Sequence, residues 1–355
     1  MLTKACARLS ASIFRNEELR DAFSLQSLYI GGAPFRTPGI YTMLPYAEHA
    51  FGIWMLKGGY GTLPQIIARE LKDRGVQIHT GTEVESLLVE GRRCSGVVVQ
   101  GQPIPYDAVL YNGDFPNVES LLPPGVFKQE QAPVVTANKG RPVSAKAIKR
   151  GSWKPSSGCL LIYAATDKRW PDSLVHQFFL PDSLNSSLHE LFDRGQIPQD
   201  SSYYVFNPVA LDDSAAPPGQ SVLYFLVPVP AVPDQKWEEI AGALADKVMA
   251  DAEKRGFPGL AASVIWRRLR TPADAEQEGM YGGGQLRYCT AADPVGGIPA
   301  PAEALSAQGV VCRRRFRPSR RRCADCHAGC EACRSGNDKG DERTWMIGYC
   351  SNVRN

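Results

Sequence analysis

Histidine is scarce in this sequence, five among 355 residues, and none of the five falls into a metal-ligand or triad spacing. No Ser-His-Asp set and no paired carboxylates stand out, so the side-chain machinery of a typical hydrolase is missing. Long apolar runs are missing too; nothing approaches the ~20 residues of a helical membrane span. The first residues hold Lys4 and Arg8 without an apolar h-region, which is not a secretory signal pattern. Also lacking is a G-x-G-x-x-G turn after a strand, the element that seats a pyrophosphate on a helix N-terminus.

What remains is a chain of ordinary apolar content, 43%, long enough for a large core and two domains. The net charge of +3 is misleading. Residues 296–355 hold 11 Lys and Arg against 6 Asp and Glu, so the rest of the chain is mildly acidic. The cysteines are equally uneven. Cys6, Cys94, Cys159 and Cys289 are scattered, as in a reducing cytoplasm, while six more crowd the end.

The most informative stretch runs from Phe23 to Gly75. An aromatic, glycine-broken segment leads through Lys57-Gly58-Gly59-Tyr60-Gly61 into a helix. Thr62 and Gln65 stand in capping-box register, Leu63, Ile66, Ile67 and Leu71 form one apolar stripe, and Gly75 suits a left-handed C′ position. The Gly-rich turn follows no strand and has the wrong spacing for a phosphate cradle. Upstream, residues 1–22 read as helical with Asn16 as a cap and Leu19, Ala22 and Phe23 on one face. Downstream, Val76–Ile78, Val84–Leu88, Val97–Val99 and Tyr106–Tyr111 alternate as strands and end at Asn112-Gly113-Asp114. A second strand-rich region follows, with Cys159–Tyr163, Gln177–Leu180, Tyr203–Phe206, Val222–Val227 and Val264–Trp266. A helix over 235–255 and a short one from Thr271 complete the pattern.

The first of these stretches resembles the bacterial carotenoid desaturases, the FAD-dependent phytoene and diapophytoene desaturase family. The resemblance rests on Phe23, Ser24, Gln26 to Tyr29, Pro34, Pro38, Ile40, Tyr41, Pro45, Glu48, Gly52, Trp54, Lys57 to Gly59 and Leu63. YYVFNPVALDDSAAPPGQSVLYFLVPVP and RLRTPADAEQEGMYGGG look like two later family segments, so the resemblance covers roughly residues 10–290. It implies an α/β, two-domain FAD-dependent oxidoreductase fold with an incomplete Rossmann-like FAD domain, a β-meander, and a sheet-and-helix substrate domain. The implied division is 1–60 membrane-facing substrate part, 61–118 FAD part, 119–270 substrate domain, 271–295 return toward the FAD domain, and 296–355 tail.

The resemblance further implies FAD as cofactor, a hydrophobic polyene as substrate with its hydride passing to the flavin, and a cytoplasmic protein peripheral to a membrane surface. Val84 falls where this class meets the adenine through backbone groups, and Asn112 and Asp114 match the turn beside the cofactor; a buried strand valine and a polar strand-end turn are the plain alternatives. Phe23, Tyr29, Tyr41 and Trp54 are the implied polyene-lining residues, and core packing explains such residues equally well. His49, His79 and His176 are read as surface or hydrogen-bonded. No catalytic side chain is assigned.

The tail carries Cys323-x2-Cys326-x3-Cys330-x2-Cys333 with His327 between, after a run of arginines from Arg313 to Arg322. Those spacings suit zinc or an iron–sulfur cluster, and the arginines suit nucleic acid. In the family, however, this position holds a second, glycine-rich FAD motif. Arginine codons read one base along can spell glycine, and residues 298–325 then reproduce that motif in order. The sequence expectation is therefore a frame shift between about Cys289 and Ile298, with no metal and no nucleic-acid partner. A non-catalytic or zinc-binding module, and a related isomerase or amine-oxidase-like flavoenzyme, remain the alternatives.

Overall fold

The computed structural model describes residues 4–91, 93–124, 135–136, 142–143, 153–231, 235–285, 289–290 and 347–348. Two units are distinguished, one of residues 1–70 and 148–299, the other of residues 71–147 and 300–355. The Cys- and Arg-rich segment, and the frame-shift boundary read from it, lie outside the described residues.

The first unit begins with α1 (Cys6–Ile13) and α2 (Glu17–Leu25). Asn16 caps α2 as the sequence predicts, its side chain accepting the Leu19 amide at 2.9 Å. Glu17 and Glu18 place negative charge at the helix's positive end. Leu19 nevertheless remains 46% exposed. Next come α3 (Met43–Phe51) and α4 (Thr62–Asp73). The capping box expected at Thr62 and Gln65 does not form. Thr62 is already helical, and its hydroxyl donates to the Gly59 carbonyl at 2.8 Å. The far end follows expectation: Gly75 has φ +81°, and the Gly75 and Val76 amides bond the Lys72 and Leu71 carbonyls, both at 2.9 Å. The apolar stripe of Leu63, Ile66 and Ile67 stays exposed, and α4 buries none of its residues. Spacing predicts the helix, but only a facing surface can bury its stripe.

In the second unit β1 (Ser86–Glu90), β2 (Arg93–Val99) and β3 (Gln102–Pro105) form an antiparallel meander in that order. Leu87, Cys94, Val97, Val99, Val118 and Leu122 make its core. β4 (Leu110–Tyr111) runs parallel to Ile347–Gly348. Two strand expectations need correction. Val76–Ile78 is not a strand, and of Tyr106–Tyr111 only the last two residues are. Alternation fits an extended chain, but a strand exists only where a ladder partner accepts its hydrogen bonds.

The first unit then resumes with β5 (Gly158–Thr166), β6 (His176–Phe179), β7 (Tyr203–Phe206), β8 (Ser221–Val229) and β9 (Val264–Arg270). They build one antiparallel sheet in the order β9-β5-β8-β7-β6. α5 (Leu184–His189) joins Leu25, Leu28 and Phe35 in a small apolar cluster. α6 (Trp237–Arg255) lays Trp237, Ala241, Ala245, Val248, Met249 and Ala252 against the sheet. Ala at three of those positions lets the helix approach closely. α7 (Pro272–Gln277) opens with a true capping box, Thr271 with Asp274. Among the described residues no helix is long and apolar enough to cross a membrane, and no cluster of three His, Cys, Asp or Glu could hold a metal.

β8 shows how the sheet is organised: its burial alternates strictly, with Ser221, Leu223, Phe225, Val227 and Val229 buried and the residues between them half-buried. The buried set meets α6 and Phe257 in the main core. Phe257 is fully buried and touches the rings of Trp170, Phe179 and Phe225. Phe257→Ala should therefore cost about 3–5 kcal/mol in urea unfolding, whereas Phe51→Ala, at a residue 71% exposed, should change stability by no more than about 0.5 kcal/mol.

Candidate functional site

The sheet's second face is the feature that the core does not explain. Side chains alternate across a strand, so the residues paired through the ladder on this face line up in rows. One row runs Arg268, Tyr163, Tyr224, Phe206, His176, and the next runs Arg270, Leu161, Leu226, Tyr204, Phe178. Five strands at the usual spacing make each row about 19 Å long. The rings touch along it. Tyr163 and Tyr224 lie 5.3 Å apart, Tyr204 and Tyr224 6.4 Å, Phe178 and Tyr204 5.1 Å, and His176 and Phe206 5.2 Å between centroids. Tyr29 adds an edge contact to Phe178 at 6.2 Å.

Charged groups bound this surface without filling it. Arg270 donates to Glu278 and Gln285, and the Gln285 amide donates to the Cys159 carbonyl at 2.9 Å. Gln26 Nε2 donates to Glu48 Oε2 at 2.5 Å. His176 Nδ1 and Tyr204 Oη are hydrogen-bonded at 2.5 Å. Burial lowers the His176 pKa, partly offset by Glu48, so its imidazole is neutral at pH 7. Burial and then Glu48 push Tyr29 up to about 12, although half its surface is exposed, and burial also raises Tyr204 and Tyr224. The Cys159 thiol is pushed up to about 12 by burial, so it is not a nucleophile.

Of the four polyene-lining residues inferred from sequence, Tyr29 touches this face. Phe23 stacks between Phe14 at 4.7 Å and His49 at 6.1 Å. Tyr41 is half-buried in a short 3-10 turn, Gly39–Thr42. Trp54 is 81% exposed, its indole donating to the Phe51 carbonyl at 2.9 Å. His176, read from sequence as a hydrogen-bonded residue, is one, and Tyr163, Tyr204, Tyr224 and Phe206 were not singled out. Their signal was there: each sits at the off-core register of a strand whose core register is aliphatic or aromatic.

In the second unit, Val84 and Tyr111 pack on the same core. Asn112 is exposed and Asp114 half-buried. The Tyr111 hydroxyl donates to the Asp114 carbonyl at 3.0 Å, closing the turn over Gly113, where a Cβ would lie 2.5 Å from that hydroxyl. A larger residue at 113 would thus have to displace the Tyr111 ring. Gly58, in the other unit, gives its amide to the Asp212 carboxylate at 3.1 Å, so an anion already occupies the donor that a phosphate would need.

The fold is a mixed α/β oxidoreductase fold, shared with an oxidoreductase from Methanosarcina mazei at TM-score 0.51 and 16% identity, over 76% of this chain and 56% of that one. The family description for flavin containing amine oxidoreductases matches residues 6–267, and the chain belongs to that family. Its curated relatives include a 4,4'-diapolycopen-4-al dehydrogenase of Metabacillus indicus, 38% identical over 77% of this chain and 51% of its own length. A zeta-carotene-forming phytoene desaturase of Myxococcus xanthus is 34% identical over 74% of this chain and 48% of its own. These bear out the resemblance to carotenoid desaturases; the chain spans about half the length of the curated relatives it matches.

FAD is the cofactor that this membership implies. The described residues fit only part of it. Val84 and Tyr111, the residue before the 112–114 turn, share one core, but among the described residues no glycine turn leads from a strand into a helix to hold the pyrophosphate.

The raised tyrosines set an alkaline limit on stability. Tyr29 titrates near 10 when unfolded and about 12 when folded, so the folded state binds more protons between those values. Stability is full below pH 10 and falls as pH rises toward 12. Urea midpoints between pH 9 and 12 should show this fall, and Tyr29→Phe should make it shallower.

Proposed function

We propose that this chain serves FAD-dependent desaturation of a linear carotenoid precursor such as phytoene or diapophytoene, with the polyene laid along the aromatic face of the five-stranded sheet. The observation that carries this is the pair of cross-strand rows, roughly 19 Å of contiguous rings and aliphatic side chains set opposite the core rather than within it. An extended apolar ligand needs such a surface: ring faces for contact and few fixed charges. The family and the names of the relatives support the same substrate class. Bound flavin would supply the hydride acceptor, while the protein binds and orients the chain. The incomplete cradle gives no step through the flavin.

A membrane-surface location fits the same reading. Met43, Tyr46, Phe51, Ile53, Trp54 and Tyr60 are each more than half exposed and fall within eighteen residues of one another, with Lys57 among them. Clustered aromatics beside a cation are what an interfacial anchor presents to lipid. Such an anchor gives a cytoplasmic protein access to a substrate dissolved in the bilayer.

Two measurements test these readings. Quenching of intrinsic fluorescence should show saturable binding of a linear C30 hydrocarbon polyene delivered in micelles. Tyr224→Ala should weaken it about tenfold, roughly 1.4 kcal/mol. Binding no tighter than to empty micelles would overturn the substrate assignment. For the anchor, flotation with liposomes should fall several-fold in Phe51→Ser/Trp54→Ser, and unchanged flotation would remove it.

A further inference from the structure

A pure hydrocarbon needs no hydrogen-bond donor, yet the outer end of the aromatic rows has one. His176 lies on β6, the edge strand, with its Nδ1 2.5 Å from Tyr204 Oη. Its ring stacks on Phe206 at 5.2 Å, which fixes the imidazole in place. Neutral imidazole brings one N–H and the phenol one O–H, and their mutual bond uses one of those two hydrogens. If Tyr204 donates, the Nε2 hydrogen remains; if Nδ1 donates, the phenol hydrogen remains. Either tautomer leaves one donor free for a ligand. His176 and Phe178 also form a wall of an open cleft of about 540 Å³, shared with Trp170, Leu174, Arg169 and Arg255, so the imidazole of the pair has space beside it.

From this juxtaposition we infer that the His176–Tyr204 pair is a specificity-determining subsite for an oxygen-bearing end group of the polyene, such as a conjugated aldehyde whose carbonyl accepts the free hydrogen. The inference rests on the polyene reading above and narrows it from a hydrocarbon to an end-oxygenated chain. The rings hold the apolar body in either case. The pair discriminates only at the terminus, where a hydrocarbon would leave the donor without a partner.

The test compares a linear C30 polyene aldehyde with the C30 hydrocarbon of equal conjugation, each titrated into the purified full chain. The aldehyde should bind about three- to tenfold tighter, the value of one net hydrogen bond. Its visible band should also shift to the red, because hydrogen bonding polarises the conjugated carbonyl. His176→Phe/Tyr204→Phe removes both hydrogens and keeps the rings. It should abolish the preference and the red shift, and a near-UV circular dichroism spectrum like that of wild type shows that the variant is folded. Equal affinities in wild type, or a preference that survives the double variant, would overturn the subsite and leave the polyene reading standing. Failure of both probes to bind would overturn both. The wild-type comparison decides the matter even if the double variant does not fold.

Discussion

The structure of the larger unit depends on the two-faced register of its five-stranded sheet, strictest in β8. One register carries Leu160, Ile162, Val205, Leu223, Phe225 and Val227, sealed under α6 and Phe257. Because the period is two, a one-residue slip in any strand would exchange the two faces. Core packing therefore fixes which side chains stand on the other side. The positions of Tyr163, Tyr204, Tyr224 and His176 are a by-product of burying their neighbours.

This division of labour matters for chemistry that resides in a cofactor. On the outer face Cys159 is held as a thiol, the tyrosines stay phenolic, and the neutral His176 is tied to Tyr204. What the face offers is area, shape and a few hydrogen-bond donors. A flavoenzyme asks for this, since binding and orientation are the protein's share of hydride transfer. The smaller unit presents a different situation. Its meander packs Val84 and Tyr111 into one core, and Tyr111 closes the turn at Asp114, while no pyrophosphate cradle occurs among the described residues.

Electrostatics reinforce this arrangement at the margins of the sheet. Arg270 is tied to Glu278 and Gln285, Arg169 to Asp213, and Arg36 to Asp193. These three guanidiniums thus each have a carboxylate partner. Among the exposed aromatics from Tyr46 to Tyr60, the polar groups of Trp54 and Tyr60 bond to backbone carbonyls, those of Phe51 and Trp54, rather than to charged side chains.

The sequence alone determined the family and most of the elements. Strands over Tyr203–Phe206 and Val222–Val227, the helix ending at Arg255, the Asn16 cap and the Gly75 stop are all local, set by alternation, capping groups and a residue that tolerates positive φ. Local rules failed where a partner decides. Val76–Ile78 alternates but pairs with nothing described, Thr62 was one position too far into the helix to cap it, and the α4 stripe stayed exposed. Likewise, aromatic residues from Phe23 to Trp54 form one group in the sequence but occupy separate places in the fold. Only tertiary structure joined Tyr29 to Phe178 and His176 to Tyr204, across 149 and 28 residues of chain. The physical reason is that periodicity specifies which face a side chain takes, whereas the ladder register, a long-range property, specifies its neighbours.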